Sequence, residues 1–584
     1  MAIFVNQLGY QRRGEKRAVL PYDCDCFWLL DEAGEVCFEG ETKRFGEDKA
    51  SGDRVTEADF SSFTNQGKYR VKTSRIIEDP AGEGVALEYS PWFEIRDDVY
   101  EGLERDLMKA FYYLRCGQEL KKEYAGVYAH PACHVGMTAL WEDPSVLIET
   151  TGGWHDAGDY GRYVTAGACA LAHLLYAYRM YPQVFRDRIT GIPESGNGVP
   201  DVLNECRWEL EWFLKLQKSD GGVFHKVTTA QHAPFVMPQE DQAQLFALPV
   251  SSMATADFAA ICAMAAGIYR EFDEDFSLRL EKASKKAYWW LISHPEFVGF
   301  RNPEGCGTGE YGEWDDASNR FWAAAELYAL TGEKKFHEDL QVALERHFPL
   351  TALGYGEVGG FGILAYLLSK QGKSVDLMHK FFQAIVKDAA TRVRVAEESG
   401  YGVSMMDFEY GWGSNMGVMR HGMIFAIADY FGLEEKVKEA AKTAELPKRW
   451  RWKGEPEEEP YVQGTRLKRN WSMRDHAAAQ LDYLLGCNAM GISYVTGNGE
   501  NAYRYPHLRP AHADGIEECM PGMVSGGPNR HRQDPRAKEL IPDGTPAMKC
   551  FADDYLCYSL NEITIYWNSP AVFTVGYLLS KKDL

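Results

Sequence analysis

The chain has 584 residues, which is too long for one ordinary hydrophobic core, so we expect at least two domains. A composition of 45% hydrophobic and 13% aromatic residues is that of a globular protein. The formal net charge of −22 disfavours nucleic acids and anionic membranes as partners, whereas a neutral or cationic substrate is not disfavoured.

No apolar run reaches the ~20 residues that a membrane-spanning helix needs. The first residues, Met1–Val5, lack the basic start and the long apolar centre of a signal peptide. We therefore expect a cytoplasmic protein if the chain is complete, and a secreted one if a signal has been removed. The 13 cysteines are scattered and odd in number, which indicates buried thiols rather than a disulfide framework.

Residues 1–96 have the pattern of a small β-sandwich. Short apolar runs such as Arg17–Leu20 and Cys26–Leu30 are separated by turns that contain glycine and aspartate. This region carries no cluster of catalytic residue types, so we expect any chemistry to lie further along the chain.

From residue 97 to residue 584 helical periodicity dominates, with long loops rich in glycine and aromatic residues between the helices. No heptad persists, which excludes a coiled coil. A barrel with an even number of helices fits this pattern, with the loops gathered at one end to form a site. The predicted helices are 100–117, 161–182, 199–217, 251–271, 276–293, 317–331, 334–346, 357–370, 376–390, 414–431, 434–444, 472–485 and 570–580.

One segment of biased composition interrupts the helices. The basic and aromatic run Lys448–Lys453 is followed by the acidic run Gly454–Pro460. We interpret the pair as a solvated loop whose two halves attract each other.

Two carboxylates, Asp156 and Asp159, lie three positions apart in the segment 152–163, among glycines and aromatic residues. Small residues let a ligand approach the backbone, and aromatic faces suit sugar rings. Cleavage of a glycosidic bond needs paired carboxyl groups, here with a third supplied from elsewhere. A turn whose acidic side chains cap a helix would give the same pattern.

Four residues form a candidate metal site: Cys116, Cys133, His134 and His155. Two cysteines and two histidines are a common tetrahedral zinc set, although this spacing is not that of a zinc finger. If the site is real, the protein fills all four positions. The metal would then be structural and would fix the loop that carries the two aspartates. Unrelated buried thiols and histidines are the alternative.

The C-terminal region supplies further polar candidates. Glu562 lies in an apolar and aromatic setting, which raises the pKa of a carboxyl group and suits a general acid. A glutamate that caps the last helix is the alternative. His507 and Arg509 lie in long polar loops and could bind sugar hydroxyls, or could belong to an ordinary surface loop.

Two other sets complete the candidates. The acidic, glycine-rich run 307–316 could bind calcium through Glu313, Asp315 and Asp316, or could simply begin a helix. The aromatic rings that could stack on sugars are those of Trp314, Trp412 and Trp567.

These motifs occur together in a familiar order, and the chain resembles glycoside hydrolase family 9. It is most similar to the subgroup with an N-terminal immunoglobulin-like domain. The segment Val5–Tyr10 resembles the start of that domain. Residues 152–163 match the family's GGWHDAGDYGKY-like motif, with Arg162 where lysine is usual. The other matching segments are Phe321–Tyr328, Trp412–Asn415, Ser493–Gly497, Pro506–Arg509 and Asn561–Glu562.

The resemblance implies an immunoglobulin-like β-sandwich at 1–96 followed by an (α/α)₆ barrel at 97–584. It implies that Asp159 is the general base, that Asp156 helps to hold the attacking water, and that Glu562 is the general acid. It also implies sugar contacts by His507, Arg509 and Trp567, and a structural zinc on the Cys₂His₂ set, with calcium possible. Leu508 stands where the family usually has a second histidine, which leaves the choice of substrate open.

The expected activity is inverting hydrolysis of β-1,4-linked glucans, with an endoglucanase as the first interpretation. An exo-acting β-glucosidase or β-glucosaminidase on short oligosaccharides is the alternative. A metal-dependent phosphohydrolase and a non-catalytic glycan-binding protein are weaker alternatives. We expect a β-1,4-linked polysaccharide or oligosaccharide as the partner, no nucleic acid or membrane, and a monomer.

Overall fold

A computed structural model describes residues 3–79, 82–449 and 469–582. Most of the basic and acidic segment 448–460 lies outside the described residues, so the interpretation of that segment as a loop stays a prediction.

The N-terminal region is the predicted β-sandwich. Its strands pair in the order β1-β8-β6-β3-β4-β5-β2, and β7 pairs with β6. The strands are β1 (Gly9–Tyr10), β2 (Arg17–Leu20), β3 (Cys26–Asp31), β4 (Val36–Asp48), β5 (Asp53–Asp59), β6 (Gly67–Asp79), β7 (Gly82–Tyr89) and β8 (Phe93–Ile95).

The long strand β4 belongs to both layers of the sandwich. Its first half pairs with β3, and its second half, from Thr42 onward, pairs with β5. Between the layers Tyr10, Phe60 and Phe93 are buried, and the ring of Tyr10 meets the edges of both phenylalanines at 5.3–5.4 Å. These aromatic contacts are part of the hydrophobic core between the two layers of the sandwich.

After Ile95 the described chain is mainly helical. The helices are α1 (Glu101–Tyr113), α2 (Lys122–Ala125), α3 (Val164–Met180), α4 (Asp201–Lys215), α5 (Ser252–Tyr269), α6 (Glu274–Ser293), α7 (Ala317–Thr331), α8 (Lys334–Ala343), α9 (Gly359–Leu368), α10 (Val375–Glu397), α11 (Ser414–Tyr430), α12 (Glu434–Ala441), α13 (Met473–Leu484), α14 (Arg509–Ala513), α15 (Pro535–Leu540), α16 (Tyr558–Asn561) and α17 (Ile565–Ser580).

Six helices that are buried on nearly every side form an inner ring: α3, α5, α7, α9, α11 and α17. Amphipathic helices such as α4, α6, α8 and α10 pack outside them. The ring closes because α17 packs against both α11 and α3. A helix that is apolar all round has to lie inside other helices. The predicted (α/α)₆ barrel is confirmed.

Helix α5 is long and apolar enough to cross a membrane by length and composition alone. However, 89% of that stretch is buried inside the protein, which is the environment of a core helix.

The last helix differs from its prediction. It begins at Ile565, with Pro570 inside it, whereas the sequence predicted a start at residue 570. The hydroxyl of Thr564 accepts a hydrogen bond from the Trp567 amide and caps the helix before the proline is reached. As a result, Trp567 lies in the first turn of the helix.

Buried polar side chains of the Val5–Tyr10 motif, together with Arg17, form hydrogen bonds between the sandwich and the barrel. The Asn6 amide donates to Asp482 at 2.8 Å, and the Gln7 amide donates to the carbonyl of Gly491 at 2.9 Å. The guanidinium of Arg17 donates to the carbonyl of Tyr401. Because buried polar groups are costly unless paired, these contacts fix the position of the sandwich against the barrel.

Candidate active site

The segment 152–163 runs from the small sheet at one end of the barrel into α3. This sheet has the order β10-β9-β13-β12-β11, and β11 ends the segment itself. Its strands are β9 (Thr138–Leu140), β10 (Leu147–Ile148), β11 (Arg162–Tyr163), β12 (Lys226–Thr228) and β13 (Phe246–Ala247). A hydrogen bond from the Asp156 amide to the Gly161 carbonyl closes the loop that carries both aspartates.

The C-terminal candidate Glu562 reaches this loop through backbone contacts. The amide of Ile565 donates to the carbonyl of Asp156 at 2.8 Å, three residues after Glu562. His507 pairs with Glu562 as an isolated β-bridge, and the His507 amide donates to the carbonyl of Asn561. Carboxyl groups about four hundred positions apart in sequence therefore meet in one place.

Gly158 is the point of closest approach between the two segments. A Cβ atom at this position would collide with the backbone carbonyl oxygen of His507. The Arg509 guanidinium holds the same contact, because it donates to the carbonyls of Gly158 at 2.5 Å and Ala233 at 2.7 Å. Arg509 was predicted to bind sugar hydroxyls, but two of its N–H groups donate hydrogen bonds to the protein backbone.

Asp159 and Glu562 line the same cleft, which has a volume of about 950 Å³. His507, Arg509, Trp412 and Trp567 line it as well, as predicted. Trp412 is 45% exposed and offers an open ring face, whereas Trp567 is 4% exposed and packs beside Gly413. The open face of Trp412 suits the stacking of a sugar ring.

Trp314 does not line this cleft. Its side chain is 88% exposed, and the guanidinium of Arg301 lies over its ring at 4.4 Å. An exposed tryptophan in an acidic, glycine-rich segment gives no sequence signal for the direction in which its ring points.

The environment of Asp159 favours its ionised form. Burial acts to raise the pKa of this carboxyl group, but the hydrogen bond and charge of His232, the charge of Arg509 and the Gly161 amide outweigh burial and hold the pKa below its ordinary value. His232 Nδ1 lies 3.3 Å from the carboxylate. Asp159 is therefore an anion over the whole working pH range of most enzymes.

The environment of Glu562 favours its protonated form. Burial raises the pKa of this carboxyl group well above its ordinary value, and the charges of Asp159 and Asp156 raise it further. Arg509 and a hydrogen bond with Trp412 lower it by less. Two carboxyl groups in one cleft thus have their pKa values pushed in opposite directions, as a general acid and a general base require.

Asp156 lies behind Asp159 and is 1% exposed. Burial raises the pKa of Asp156 well above its ordinary value, against the effect of the Tyr311 hydroxyl, which donates to Oδ2 at 2.5 Å. Its Oδ1 atom is buried and has no hydrogen-bond partner among the described residues. Asp156 is not among the residues that line the cleft, so a water held by this oxygen would lie behind Asp159.

Sequence reasoning missed His232 and Tyr311. His232 contacts Asp159 from a loop about seventy positions away, and Tyr311 reaches Asp156 from a loop more than one hundred and fifty away. Tyr311 also stacks edge-on against Tyr355 at 4.9 Å. Tyr311 lies in the acidic run 307–316, and nothing local in the sequence marks its hydroxyl as a partner of the aspartates.

Cys116, Cys133, His134 and His155 form the predicted group that could hold a metal ion. All four are buried, and their ligand atoms lie within 4.8 Å of one another. His134 Nδ1 has no hydrogen-bond partner among the described residues, while its Nε2 lies 3.3 Å from Asp241. A carboxylate on the far nitrogen of a histidine is the usual support of a metal ligand, so the donor set fits a metal.

The predicted calcium set is not assembled. The carboxylates of Asp315 and Asp316 pair with Arg346, and Asp316 also pairs with Arg320 at 2.8 Å. Burial raises the pKa of Glu313 to about 10, and the charges of Asp257, Glu357 and Asp316 raise it further. Two of the three carboxylates therefore already have arginine partners, and the calcium site stays a prediction.

The profile of glycosyl hydrolase family 9 matches residues 100–575, and that of the cellulase N-terminal ig-like domain matches residues 1–77. The chain belongs to glycosyl hydrolase family 9. The predicted resemblance is confirmed, and the protein is a glycoside hydrolase. Family membership excludes the phosphohydrolase and the non-catalytic alternatives, and the closed Cys₂His₂ group agrees with this because it leaves no position open for catalysis.

Three relatives of this family 9 enzyme illustrate the similarity. A cellodextrinase of Butyrivibrio fibrisolvens is 40% identical, over 99% of both chains. AaCel9A in complex with cellobiose-like isofagomine has a TM-score of 0.85 and 32% identity, over 99% of this chain and 100% of the other. A Zn-binding triple mutant of endoglucanase J30 has a TM-score of 0.83 and 29% identity, over 97% and 99%.

The close approach at Gly158 gives a test of the site's geometry. We expect Gly158→Ala to lower kcat by about 100-fold, because separating the loop from His507 misplaces Asp159 relative to Glu562 by the order of 1 Å. Gly136→Ala is the matched control, since nothing lies within 4 Å of a Cβ atom there. Steady-state kinetics together with circular dichroism check this. Equal activity of the two folded variants would show that the contact does not position the catalytic loop.

Proposed function

We propose that this family 9 enzyme hydrolyses β-1,4-linked gluco-oligosaccharides with inversion at the anomeric carbon. The observation that carries the proposal is the pair of carboxyl groups in one cleft, Asp159 ionised and Glu562 protonated. Inverting glycosidases use such a pair on opposite faces of the sugar, with room for a water between.

In this proposal Asp159 is the general base. The carboxylate removes a proton from a water molecule as the oxygen of that water attacks the anomeric carbon. Asp156 helps to hold the water through its unpartnered Oδ1 atom. Because Tyr311 fixes the other oxygen of Asp156, the direction of Oδ1 is set before substrate arrives.

Glu562 is the general acid. Its proton passes to the glycosidic oxygen as the bond to the anomeric carbon breaks, and the leaving sugar departs as an alcohol. Trp412 supplies a ring for the sugar to stack on, and its hydrogen bond with Glu562 orients the acid. His507 lines the cleft beside Glu562, with its Nδ1 atom held by the carbonyl of Tyr555 at 2.6 Å.

Short cello-oligosaccharides are the proposed substrates. The support is the 40% identity with a cellodextrinase over nearly the whole of both chains. Internal cleavage of cellulose-type polymers is a second candidate, supported by the structural similarity to endoglucanase J30. The two candidate activities use the same acid and base. They differ in whether the cleft binds the end of a glucan chain or an internal segment of it.

We also propose that the metal of the Cys116, Cys133, His134 and His155 group is zinc. Two thiolates and two imidazoles are donors that zinc prefers, and four protein ligands make a site structural. The backbone around the group also touches the catalytic loop, since the Cys116 amide donates to the carbonyl of Gly153. The enzyme is proposed to act as a monomer.

The roles of the two carboxyl groups predict both rates and pH dependence. We expect Asp159→Asn and Glu562→Gln to lower kcat on cellotetraose by about 10²- to 10⁴-fold, the range for loss of a general acid or base. For the wild type, kcat/KM should rise with pH only below the ordinary pKa of aspartate, 3.8, because the pKa of Asp159 lies lower. It should fall as the pH rises through the pKa of Glu562, which lies above the ordinary value of 4.5.

The controls for this experiment are exposed acidic residues outside the cleft. Asp143→Asn and Glu304→Gln should leave both the rate and the pH profile unchanged. Hydrolysis at the wild-type rate by Glu562→Gln would mean that another group donates the proton.

The zinc proposal predicts about one zinc atom per chain, measured by plasma mass spectrometry on protein purified without chelator. Cys133→Ser should lose the metal and unfold at a lower temperature, because a structural metal contributes its binding free energy to folding. Cys37→Ser, which alters an exposed thiol of the sandwich, is the control. A wild-type protein that contains iron or no metal after growth in zinc would contradict the assignment.

A further inference from the structure

The cleft extends beyond the catalytic carboxyl groups along one face of α11. Ser414, Gly417 and His421 line it, and so do Met416 and Arg420. These positions are three or four residues apart, which places them on the same side of a helix. At 1.5 Å per residue, Arg420 lies about 9 Å further along the helix axis than Ser414. The helix begins at Ser414, two residues after Trp412, so Arg420 lies further along the cleft from Trp412 than Ser414 does.

Arg420 is a cation without a partner among the described residues. No ion pair or hydrogen bond joins its guanidinium to any of them, and its Nε atom is buried. A Cβ atom on Gly354 would lie 2.8 Å from its Nη1 atom, so the guanidinium packs against the facing loop and bounds the cleft there. The charges of Asp388 and Glu409 act on this half-buried guanidinium, but neither carboxylate forms a hydrogen bond or ion pair with it. A partly desolvated cation with no direct partner is costly, which indicates that a ligand supplies one.

The neighbours of Arg420 decide the chemistry of that ligand. Arg392 donates to both oxygens of Glu409, at 2.8 and 3.1 Å, so this pair is already neutralised. Burial, Arg392 and Arg420 lower the pKa of His421 well below its ordinary value, and its Nδ1 atom has no partner among the described residues. The cluster of Arg392, Glu409, Arg420 and His421 thus offers a free cationic donor, a carboxylate acceptor and a neutral imidazole.

A mixture of donors and acceptors fits the hydroxyl groups of a neutral sugar. A phosphate or uronate would meet the Arg420 guanidinium but would find no second free cation in this cluster, because Arg392 is already paired with Glu409. A sugar hydroxyl can accept from Arg420 and donate to Glu409 at the same time. Trp412 lines the same cleft and forms a hydrogen bond with Glu562, so its ring can stack on a sugar bound beside the acid.

We propose that Arg420, with Glu409 and His421, forms a subsite for the terminal glucosyl residue of a β-1,4-linked oligosaccharide. The inference rests on the proposed function and deepens it, because a subsite that grips a chain end favours short oligosaccharides over internal segments of a polymer. Arg420 is the residue that sets this preference, since it bounds the cleft and has no other partner among the described residues.

The test compares wild type, Arg420→Met and Arg420→Lys on cellotetraose and on soluble carboxymethylcellulose. We expect Arg420→Met to lower kcat/KM on cellotetraose by about 10- to 100-fold, the range for lost hydrogen bonds to a charged group. Arg420→Lys should recover part of it. On the polymer the ratio of the variant rate to the wild-type rate should stay within about threefold. Arg270→Met, an exposed arginine paired with Glu281, is the matched control.

A binding measurement separates this proposal from the proposed function and from a folding defect. Calorimetry with cellotetraose on Glu562→Gln and on the double variant Glu562→Gln/Arg420→Met should give a Kd about tenfold weaker for the second, at an unchanged Tm. Failure of wild type to hydrolyse either glucan would overturn the proposed function. Active wild type with equal Kd values would overturn the subsite alone, as would binding of inorganic phosphate that depends on Arg420 and leaves cellotetraose binding unaffected.

Discussion

The backbone contact between the loop of Asp156 and the segment of Glu562 is the constraint on which the rest of this enzyme depends. One hydrogen bond, from the Ile565 amide to the Asp156 carbonyl, joins two segments that lie about four hundred positions apart in the sequence of the barrel domain. The barrel makes this contact possible because α17 closes the inner ring against α3. Gly158 and Arg509 keep the two segments together where a side chain would force them apart. Catalytic geometry is therefore a property of ring closure rather than of either loop alone.

The same closeness creates the electrostatic difference between the two carboxyl groups. Desolvation by the surrounding protein raises the pKa of both carboxyl groups. The hydrogen bond with His232 and the charge of Arg509 lower the pKa of Asp159, and the negative charge of Asp159 in turn raises the pKa of Glu562. The acid and the base thus set each other's protonation states, and a displacement of one would change the pKa of the other.

The fold and the central site could be predicted from the sequence where the signal is local. Helical periodicity, the paired aspartates and the Cys₂His₂ set all correspond to groups that the structure brings together. What could not be predicted depends on contacts between distant segments. His232 and the orphan Arg420 carry no local motif, and Arg346 takes Asp315 and Asp316 away from any metal. Nothing in the sequence around Trp314 indicates that its ring is exposed and lies outside the cleft.

The central claim is that an ionised Asp159 and a protonated Glu562 act on opposite faces of one sugar. The anomeric configuration of the first product, followed by proton NMR during hydrolysis of a β-1,4-linked cello-oligosaccharide before mutarotation, tests it most directly. We expect the α-anomer of the newly formed reducing end to appear first, because water enters opposite the departing oxygen. Initial formation of the β-anomer would contradict it.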